Sequence, residues 1–571
     1  MFLLGISAME HDPAAALLHD GRIVAAIEEG KLARTRTLDG IPRAAIQYCL
    51  SRAGIGWREI ERIAVATCPA RACSRQAFFH GKYLAVAPIS SAYYLNKAFG
   101  ELGRELNNLR ILREMAGPPA HRVVKLDHHL CHAASAFYAS PFDRSLILSL
   151  DEKGDGRAGF VGLGEGKEIR EMHSLSYPHS LGWVYSQFTS LLGFRPHADE
   201  HKSQWLSLQG EPVFANLFLD LLRSHSSGPP HLNSKYFRSG FAGVVAFSDE
   251  FYRQLNLPNG PEMKIEGALR ANIAASLQQA CATLLNEWLE SLRKSARAQS
   301  LCLAGGLFLN PLLVAAVERN SGFDDIFVQP AAGNEGTSLG AAWISWHEGS
   351  NQSRVAPMAS PHWGPSYSNE EIKNVLDNCK ASYRWCDSED RKIEETLKLF
   401  HAGKIVAWFQ GAAEFGPRAL GNRSLLASPW APYVNENLND YVKHRESFRP
   451  FALVVTSEDA GDYFECSPNS RFLTTMAIAK SEAAKLFERT SQGFLSRGNF
   501  VRLQVVAKED NPLLWKLLES WGKNARAPML VNTSFNLFGE PLVVTPRDAV
   551  RSYFCSGADA LVAGSFLLTK H

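Results

Sequence analysis

The stretch Leu146-Ile147-Leu148-Ser149-Leu150-Asp151, followed by Glu152-Lys153-Gly154-Asp155-Gly156, carries the strongest information about the fold. Its apolar run has the length and composition of a buried strand, and a carboxylate stands where that strand ends. The Gly and acidic residues that follow predict a polar loop. Two further apolar runs, 159–163 and 169–172, flank a turn at Gly164-Glu165-Gly166-Lys167. The segment therefore predicts a strand, an acidic loop and a hairpin, in that order.

The same plan occurs once before, at the beginning of the chain. Residues 2–8, 14–18 and 23–27 are apolar runs, and His19-Asp20-Gly21 joins the last two. Asp-Gly between apolar runs is a strong hairpin signal. A unit that appears twice predicts an α/β domain built from duplicated β-β-β-α units. This plan resembles that of the actin-like (ASKHA) ATPase superfamily, in which nucleotide or its product lies between two such halves.

Between the two units lies Asp127-His128-His129-Leu130-Cys131-His132, followed by the Ala-rich run 133–136. Ala favours helix, and side chains four residues apart share one face of a helix. His128 and His132 would then present two imidazoles to one side, and Asp151 would add a carboxylate from the following strand. The pattern predicts a divalent metal site; a His-rich helix without a metal is the alternative.

Two Gly-rich segments come later in the same half of the chain. Ala304-Gly305-Gly306 follows a buried strand, where Gly lets the backbone approach a ligand closely and Asn310 could bond a base or ribose. The segment 331–342 opens a helix of small residues, which suits an anion or the edge of a metal site. Neither segment is a Walker A loop or a G-x-G-x-x-G fingerprint. The candidate nucleotide-binding residues are Gly154, Asp155, Gly305, Gly306, Asn310 and Gly333.

The composition changes over residues 349–369, which are rich in Pro, Ser and Gly. A chain of 571 residues is too long for one hydrophobic core. We therefore expect two domains, 1–350 and 351–571.

Cationic residues of the second domain stand beside Gly, Pro and buried strands. Arg418 lies in Gly416-Pro417-Arg418-Ala419-Leu420-Gly421, Lys443 and Arg449 form a second cluster, and Arg502 lies on a predicted strand. Arg is the residue best suited to bidentate phosphate contacts, and the net charge of the whole chain is only +2. The pattern predicts a local pocket for a phosphate-rich small ligand rather than a nucleic-acid surface.

Composition excludes several other classes of protein. The chain is 46% hydrophobic and 21% charged, as expected of a folded, soluble protein. Its ten Cys are scattered without a C-x-x-C pair, which predicts reduced thiols and a cytoplasmic location. No apolar run reaches the length of a membrane span, so we expect no membrane association.

Together these motifs resemble the nodulation/cephamycin-type O-carbamoyltransferases over nearly the whole chain. The resemblance rests on 11–15, 127–137, 151–156, 178–182, 193–197, 304–306, 416–421 and 532–536. It implies an actin-like N-terminal domain, similar to the tRNA threonylcarbamoyl-transfer protein, and a C-terminal α/β domain that looks YrdC-like. It also implies that carbamoyl phosphate and ATP, with Mg(II), form carbamoyl adenylate. The carbamoyl group would then pass to a hydroxyl of a small molecule, such as a secondary metabolite in antibiotic biosynthesis.

The resemblance further implies an Fe(II) ion held by His128, His132, Asp151 and Asn334. Asn334 departs from the family, which has Asp-Asp-Gly or Asp-Glu-Gly where this chain has Asn334-Glu335-Gly336. An amide oxygen still ligates such an ion, but the lost negative charge is expected to weaken the site. The family's His-Val-Asp-Gly is also replaced, by Ser496-Arg497-Gly498-Asn499, which leaves the contacts of that loop open.

The chemistry assigns roles to the remaining candidates. Arg418, Lys443 and Arg449 are expected to act in catalysis by neutralising the phosphates of carbamoyl phosphate and ATP. The candidate substrate-binding residues are Arg502, Asn532, Ser534 and Phe535. His11 is our candidate for the general base on the acceptor hydroxyl, with His129 and His197 as alternatives.

Two other functions compete with carbamoyl transfer to a small molecule. One is modification of tRNA adenosine of the threonylcarbamoyl type, against which the near-neutral charge argues. The other is a non-catalytic, actin-like nucleotide sensor, against which the second-domain Arg set argues. The expected partner is a small-molecule hydroxyl acceptor, with no nucleic acid and no membrane, and a homodimer is left open.

Overall fold

The computed structural model describes residues 1–82, 84, 88–119, 122–223, 227–238, 247–257, 264–349, 354–355, 357–488 and 493–570. The chain forms two compact units. Unit 1 comprises residues 1–22, 39–42 and 54–357, and unit 2 comprises residues 23–38, 43–53 and 358–571. The division differs from the expected domains 1–350 and 351–571 by the two N-terminal segments that belong to unit 2. Part of the expected linker, 350–353, lies outside the described residues.

The strands are β1 (Phe2–Ile6), β2 (Ala14–His19), β3 (Arg22–Glu28), β4 (Ile60–Val65), β5 (Val123–Lys125), β6 (Arg144–Gly154), β7 (Arg157–Glu165), β8 (Glu168–Ser176), β9 (Ser300–Ala304), β10 (Asp325–Val328), β11 (Arg384–Trp385), β12 (Val406–Phe409), β13 (Arg423–Ala427), β14 (Ala452–Thr456), β15 (Phe464–Glu465), β16 (Ala477–Ala479), β17 (Phe500–Val506), β18 (Met529–Ser534), β19 (Ala560–Ala563) and β20 (Phe566–Thr569). The α-helices are α1 (Glu29–Ala33), α2 (Arg43–Ala53), α3 (Pro69–Lys82), α4 (Pro88–Ala116), α5 (His128–Phe137), α6 (Leu181–Leu191), α7 (Glu200–Leu206), α8 (Ala215–Leu222), α9 (Asp249–Gln254), α10 (Gly267–Ala296), α11 (Pro311–Asn320), α12 (Thr337–Gly349), α13 (Asn369–Asn378), α14 (Glu389–His401), α15 (Val434–Glu436), α16 (Ser457–Tyr463), α17 (Ser481–Glu488), α18 (Pro512–Gly522) and α19 (Pro546–Phe554). Shorter 3₁₀ segments include Gly306–Leu309 and Asn334–Gly336, and Asn437–Lys443 is a π-helix.

Two sheets of unit 1 follow one plan. β1 pairs antiparallel with β2 and parallel with β4, which pairs parallel with β5. In the same way β6 pairs antiparallel with β7 and parallel with β9, which pairs parallel with β10. The predicted turn at Asp20-Gly21 has the positive φ angles, 49° and 77°, that a type I′ hairpin turn requires. The expected α/β, duplicated actin-like fold is confirmed by this repetition.

A buried helix follows the last strand of each of these two sheets. These are α5 after β5 and α12 after β10, and the two helices pack against each other. Their close approach requires a residue without a side chain, because a Cβ on Gly340 would lie 1.8 Å from the carbonyl oxygen of Cys131. The contact fixes α5, which carries the His residues, against the second half of the duplication.

Unit 2 is built on a mixed sheet of ten strands in the order β11-β20-β19-β12-β13-β18-β14-β17-β16-β15. β14 lies between β18 and β17, and Ala452 pairs with Asn532 on one side and with Arg502 on the other. Directly paired residues point to the same face of a sheet. The register therefore places Asn532 and Arg502 on one face, together with Gln504 and Ser534 two positions further along their strands.

No helix among the described residues is long and apolar enough to cross a membrane.

Candidate functional site

The two His of the H-x-x-x-H motif and the carboxylate at the end of β6 meet in unit 1. Asp127 caps α5 by accepting a hydrogen bond from the N–H of Leu130, so His128 stands in the first turn. Asp151 Oδ2 lies 3.4 Å from His128 Nε2 and 3.2 Å from His132 Nε2. One ligand atom from each of the three side chains lies within 4.8 Å of the other two. This spacing suits a single metal ion.

Hydrogen bonds keep the Asp151 carboxylate ionised, and two glycines allow close packing around the His/Asp cluster. Burial raises the pKa of Asp151, but its hydrogen bonds with His128 and His132 outweigh burial and hold that pKa well below its usual range. A Cβ on Gly154 would lie 2.0 Å from the His128 ring, and one on Gly306 would lie 2.9 Å from Asp151 Oδ1. The structure thus gives these two glycines a steric role at the His/Asp cluster, whereas the sequence suggested nucleotide contacts.

Asn334 is held through its amide nitrogen. Its side chain is only 2% exposed, and its Nδ2 donates hydrogen bonds to the carbonyl oxygens of Ala8 and His11. Among the described residues, its Oδ1 is buried without a hydrogen-bond partner. The 3₁₀ segment that carries it contacts α5. Two imidazoles, one carboxylate and one orphaned amide oxygen therefore fit a borderline divalent ion such as Fe(II).

We expect Asn334→Asp to destabilise the metal-free protein by about 1–3 kcal/mol, because a carboxylate oxygen would replace the amide donor and face two carbonyl oxygens. A bound divalent ion offsets that repulsion, so added Fe(II) should raise the melting temperature of the variant more than that of wild type. Anaerobic calorimetry with and without Fe(II) measures both effects. Equal stability of the two metal-free proteins would contradict this description of Asn334.

Three other candidate nucleotide contacts have structural roles in unit 1. Asn310 is 1% exposed: its Oδ1 accepts from the N–H groups of residues 312 and 313 at the start of α11, and its Nδ2 donates to Gln278 Oε1. Asp155 accepts hydrogen bonds from the N–H groups of Cys68 and His128. A Cβ on Gly305 would lie 2.1 Å from the carbonyl oxygen of Leu150. Asn310 therefore caps α11, a role that a polar residue before a helix also suits, and its contact with a nucleotide stays a prediction. Gly333 stays a prediction.

Glu105 of α4 is a buried acid that the sequence did not reveal. Its side chain is 6% exposed, and Thr67 Oγ1 donates a 2.6 Å hydrogen bond to its Oε2. Burial, followed by the nearby charge of Glu10, raises the pKa of Glu105 to about 8. Nothing in the sequence around 105 distinguishes this Glu from its exposed neighbours, because burial there depends on distant elements.

We expect Glu105→Gln to stabilise the protein at pH 9 by about 5 kcal/mol and to leave stability unchanged near pH 4.5. The folded protein keeps this proton up to about pH 8, whereas the unfolded chain loses it near pH 4.5. The stability of the wild-type protein therefore falls as the pH rises from 4.5 through 8. The stability of Glu105→Gln does not fall in this way, because its amide does not titrate. Denaturant unfolding at both pH values, with exposed Glu114→Gln of the same helix as control, measures it. An equal effect of Glu105→Gln at both pH values would contradict the assignment.

The three candidate bases have different surroundings. Burial lowers the pKa of His11, but a 3.0 Å hydrogen bond with Asp12 and the charges of Asp12 and Asp151 outweigh it and raise that pKa to about 9. His129 is fully buried, and burial lowers its pKa to about 3. His197 is exposed and its Nδ1 lies 2.7 Å from Glu152 Oε2. A raised pKa favours a protonated His11 at neutral pH, and its role as the general base stays a prediction.

Unit 2 contains a cluster of cations, in which Lys443 is buried and the arginines are half-buried: Arg418, Arg445, Arg449 and Arg502. Burial, followed by the charge of Arg449, lowers the pKa of Arg418 to about 10. Burial, followed by the charge of Arg418, holds the pKa of Arg502 well below its usual range, and the charges of Arg445 and Arg449 add to this effect. These lowered pKa values follow from like charges that lie close together and are partly removed from water. Such an arrangement favours a bound polyanion.

Lys443 and Arg445 complete this cation cluster. Lys443 Nζ donates to the carbonyl oxygen and Oγ of Ser534 and to Oδ1 of Asn536. Burial, then the charges of Arg445 and of Arg36, hold the pKa of Lys443 well below its usual range. Neither Arg445 nor Arg36 was among the candidates. Arg445 lies between Lys443 and Arg449 in the sequence, whereas nothing in the sequence connects residue 36 with these cations.

The amide of Asn532 is fixed on the same face of the sheet as Arg502. Its Nδ2 donates to the carbonyl oxygen of Ala419 at 3.2 Å and to Gln504 Oε1 at 2.5 Å. Gln504 in turn donates to the carbonyl oxygen of Leu420 at 2.9 Å. Among the described residues, Asn532 Oδ1 is buried without a hydrogen-bond partner. Both amide hydrogens are used, so the remaining oxygen only accepts hydrogen bonds.

Phe535 has a structural role in unit 2. Its side chain is 1% exposed and packs within the hydrophobic core of unit 2. Its backbone N–H donates to the carbonyl oxygen of Arg423. Phe535 therefore shapes the segment that carries Ser534, and its role in substrate binding stays a prediction.

Comparison with known proteins agrees with this geometry. Residues 3–343 match the family described as Carbamoyltransferase N-terminus, and residues 397–570 match Carbamoyltransferase C-terminus. The chain belongs to the carbamoyltransferase family and is a transferase. Carbamoyl transfer, implied by the sequence resemblance, is thereby confirmed.

Similar proteins come from several bacteria. The uncharacterized protein sll1178 of Synechocystis sp. is 34% identical, and the alignment covers 100% of this chain and 96% of that protein. Nodulation protein NolNO of Sinorhizobium fredii is 31% identical over 98% of this chain and 79% of that protein. Nodulation protein NolO of Bradyrhizobium diazoefficiens is 32% identical over 78% of this chain and 79% of that protein.

Solved structures show more distant likeness. The activator of the 2-hydroxyisocaproyl-CoA dehydratase from Clostridium difficile has a TM-score of 0.32 at 14% identity, covering 61% of this chain and 95% of that chain. HypF of T. kodakarensis has a TM-score of 0.31 at 12% identity, covering 61% of this chain and 47% of that chain.

Proposed function

We propose that the protein is an ATP-dependent O-carbamoyltransferase that works in two steps. In the first, water removes the phosphoryl group of carbamoyl phosphate, and an oxygen of the resulting carbamate attacks the α-phosphorus of ATP and displaces pyrophosphate. In the second, the hydroxyl oxygen of an acceptor attacks the carbonyl carbon of carbamoyl adenylate. The carbon–oxygen bond to AMP breaks, AMP leaves with the electron pair, and the hydroxyl proton passes to a base.

The cation cluster of unit 2 is the observation that carries the first step. Arg418, Arg445 and Arg502 are held together although burial and repulsion depress their pKa values. An anion with several charges relieves that repulsion, and preorganised guanidinium groups stabilise the charge that develops during phosphoryl and adenylyl transfer. Carbamoyl phosphate and the triphosphate of ATP, with Mg(II), supply such charge.

Asn532 supports carbamoyl phosphate over other acyl phosphates. Its buried Oδ1 accepts and cannot donate, because both hydrogens of its Nδ2 are already engaged. The amide NH₂ of a carbamoyl group satisfies this oxygen, whereas the methyl group of acetyl phosphate leaves it unpaired. An unpaired buried acceptor costs about 1–3 kcal/mol, enough to discriminate between the two ligands.

The second step is assigned to the His/Asp cluster of unit 1. The residues that would hold a divalent ion, for which we propose Fe(II), are His128, His132, Asp151 and Asn334. Such an ion supplies Lewis-acid polarisation of a carbonyl or phosphoryl oxygen.

His11 and His197 supply the proton chemistry of that step. The protonated imidazole of His11 donates a hydrogen bond to the oxygen on which negative charge develops. Glu152 hydrogen-bonds Nδ1 of His197 and fixes the ring, leaving Nε2 to take the acceptor proton. The hydrogen bond with Glu152 raises the pKa of His197. Because a base must first lose its proton, carbamoyl transfer requires a pH above that raised value.

The test of the first step is exchange of radiolabelled pyrophosphate into ATP by the full-length protein. We expect exchange only when carbamoyl phosphate is present. Acetyl phosphate, which has the same phosphate charge but no amide, is the matched control ligand and should give at least about tenfold less. Exchange that is absent with carbamoyl phosphate, or equally strong without it, would contradict the proposal.

Transfer is tested with a panel of small alcohols, sugars and glycolipids. Mass spectrometry should detect a carbamate ester on at least one class of hydroxyl, together with AMP in equal amount. Threonylcarbamoyl-type modification of tRNA adenosine is the alternative outcome, measured by digestion of tRNA after incubation with the same reagents.

A further inference from the structure

Glu28 and Lys31, from the N-terminal segment of the chain, bind the backbone of the loop that carries Arg418. Glu28, the last residue of β3, accepts a 2.8 Å hydrogen bond at Oε1 from the backbone N–H of Gly416. Lys31 of α1 lies 2.9 Å from the same carboxylate oxygen. Lys31 Nζ also donates to the carbonyl oxygens of Glu414 and Gly416, each at 2.7 Å. All of these residues belong to unit 2.

These contacts match what a lysine can offer. An ammonium group has three donors and no acceptor, and Lys31 directs its three donors to one carboxylate and two carbonyl oxygens. The Lys31 side chain is 5% exposed, so water does not compete for these bonds. Buried charge-assisted hydrogen bonds are short and directional, and here they fix both the N–H and the C=O of Gly416.

A second carboxylate holds the far end of the same loop. Glu414 is fully buried, and its Oε1 accepts hydrogen bonds from the backbone N–H groups of Leu420, Asn422 and Arg423, at 2.9, 2.9 and 3.1 Å. Gly416 has a φ of 102°, a conformation that favours glycine. Pro417 follows and restricts the backbone further. The backbone on both sides of Arg418 is therefore held by buried polar contacts.

Nothing in the proposed first step requires Lys31 to touch a ligand, since all three of its donors are used by the protein. We propose that Lys31, together with Glu28, is a positioning residue that fixes the loop of Arg418 for binding carbamoyl phosphate. The inference rests on the proposed function, because it assigns a role within that first step. It makes the N-terminal segment 23–38 part of the carbamoyl phosphate site, although residues 31 and 414 stand 383 positions apart.

The test is steady-state pyrophosphate exchange by full-length protein, with carbamoyl phosphate and ATP varied separately. Lys31→Met should raise KM for carbamoyl phosphate at least about tenfold and change KM for ATP less than about threefold. The effect falls on carbamoyl phosphate because Asn532, the proposed contact of the carbamoyl NH₂, donates to the carbonyl oxygen of Ala419 in the same loop. Lys31→Met also leaves the Glu28 carboxylate without its cation, which is expected to destabilise the fold separately from any effect on KM. The double variant Glu28→Gln/Lys31→Met removes both charges and keeps an acceptor for the Gly416 N–H.

The double variant separates positioning from stability. We expect it to melt close to wild type and still to show the raised KM for carbamoyl phosphate, because the two carbonyl contacts of Lys31 remain lost. Leu517→Ala, in the core of unit 2, is the control that lowers the melting temperature without changing KM. If the double variant has the wild-type KM for carbamoyl phosphate, the inference is wrong. Exchange by the wild-type protein in the same experiment still upholds the proposed function. No exchange by wild type overturns both.

Discussion

Arg502→Met should abolish carbamoyl-phosphate-dependent pyrophosphate exchange, by at least about 10³-fold, without destabilising the fold. Arg502 is half-buried, and the positive charges of Arg418, Arg445 and Arg449 lower its pKa. Met keeps most of the apolar volume of the side chain and removes one charge from a site where cations repel. The same repulsion that costs stability in the free protein provides affinity for the phosphates.

Stability and activity should therefore change in different directions. We expect the melting temperature of Arg502→Met to equal or exceed that of wild type, as often occurs when a functional charge is replaced by an apolar group. Saturating pyrophosphate should raise the melting temperature of wild type more than that of the variant. Arg497→Met, at an exposed position just before β17, is the matched control and should leave exchange unchanged. A variant that unfolds, or that still exchanges at the wild-type rate, would contradict a binding role for Arg502.

Asp151→Asn should remove the metal site, lowering the affinity for Fe(II) by at least about 10³-fold. Asp151 Oδ2 is the atom that both imidazoles approach, at 3.4 and 3.2 Å, and its low pKa keeps it charged. The amide is nearly isosteric but neutral, so the two His lose their anionic partner. Pyrophosphate exchange should survive, because the cation cluster belongs to unit 2.

The measurement is the metal content of protein reconstituted anaerobically with Fe(II) and then desalted. We expect about one ion per wild-type chain and almost none in Asp151→Asn. Asp143→Asn, an exposed acid just before β6, controls for general loss of negative charge. Equal metal content in Asp151→Asn and wild type would refute the proposed site.

Local patterns predicted the duplicated fold and the His/Asp cluster. Alternating strands and an Asp-Gly turn are visible within ten residues, and His128 and His132 share a helical face whatever surrounds them. The cluster needed only the additional expectation that Asp151 ends the next strand. In the structure β6 continues to Gly154, and its pairing with β7 is irregular between Leu150 and Gly154. Such features follow from periodicity, which a single sequence records.

Features that depend on distant contacts were missed. Asn310 and Phe535 have residue types suited to ligands, and the sequence did not reveal that the fold uses one as a helix cap and buries the other. Glu105 is set apart only by the burial that α4 gains in the folded chain. Lys31 precedes the expected domain boundary by more than three hundred residues, yet it holds the loop of Arg418. Sequence spacing carries no record of such pairings.

The most direct measurement follows heavy oxygen from carbamoyl phosphate labelled at its carbamoyl oxygens. Full-length protein is incubated with ATP, Mg(II) and the labelled compound, and hydroxylamine is added to cleave any carbamoyl adenylate to hydroxyurea and AMP. Because the carbamate oxygen becomes the bridge to phosphorus, AMP should carry one heavy oxygen in its phosphate, and Arg502→Met should yield none. Formation of AMP without heavy oxygen, with all of the heavy oxygen remaining in carbamate or its products, would contradict the formation of carbamoyl adenylate.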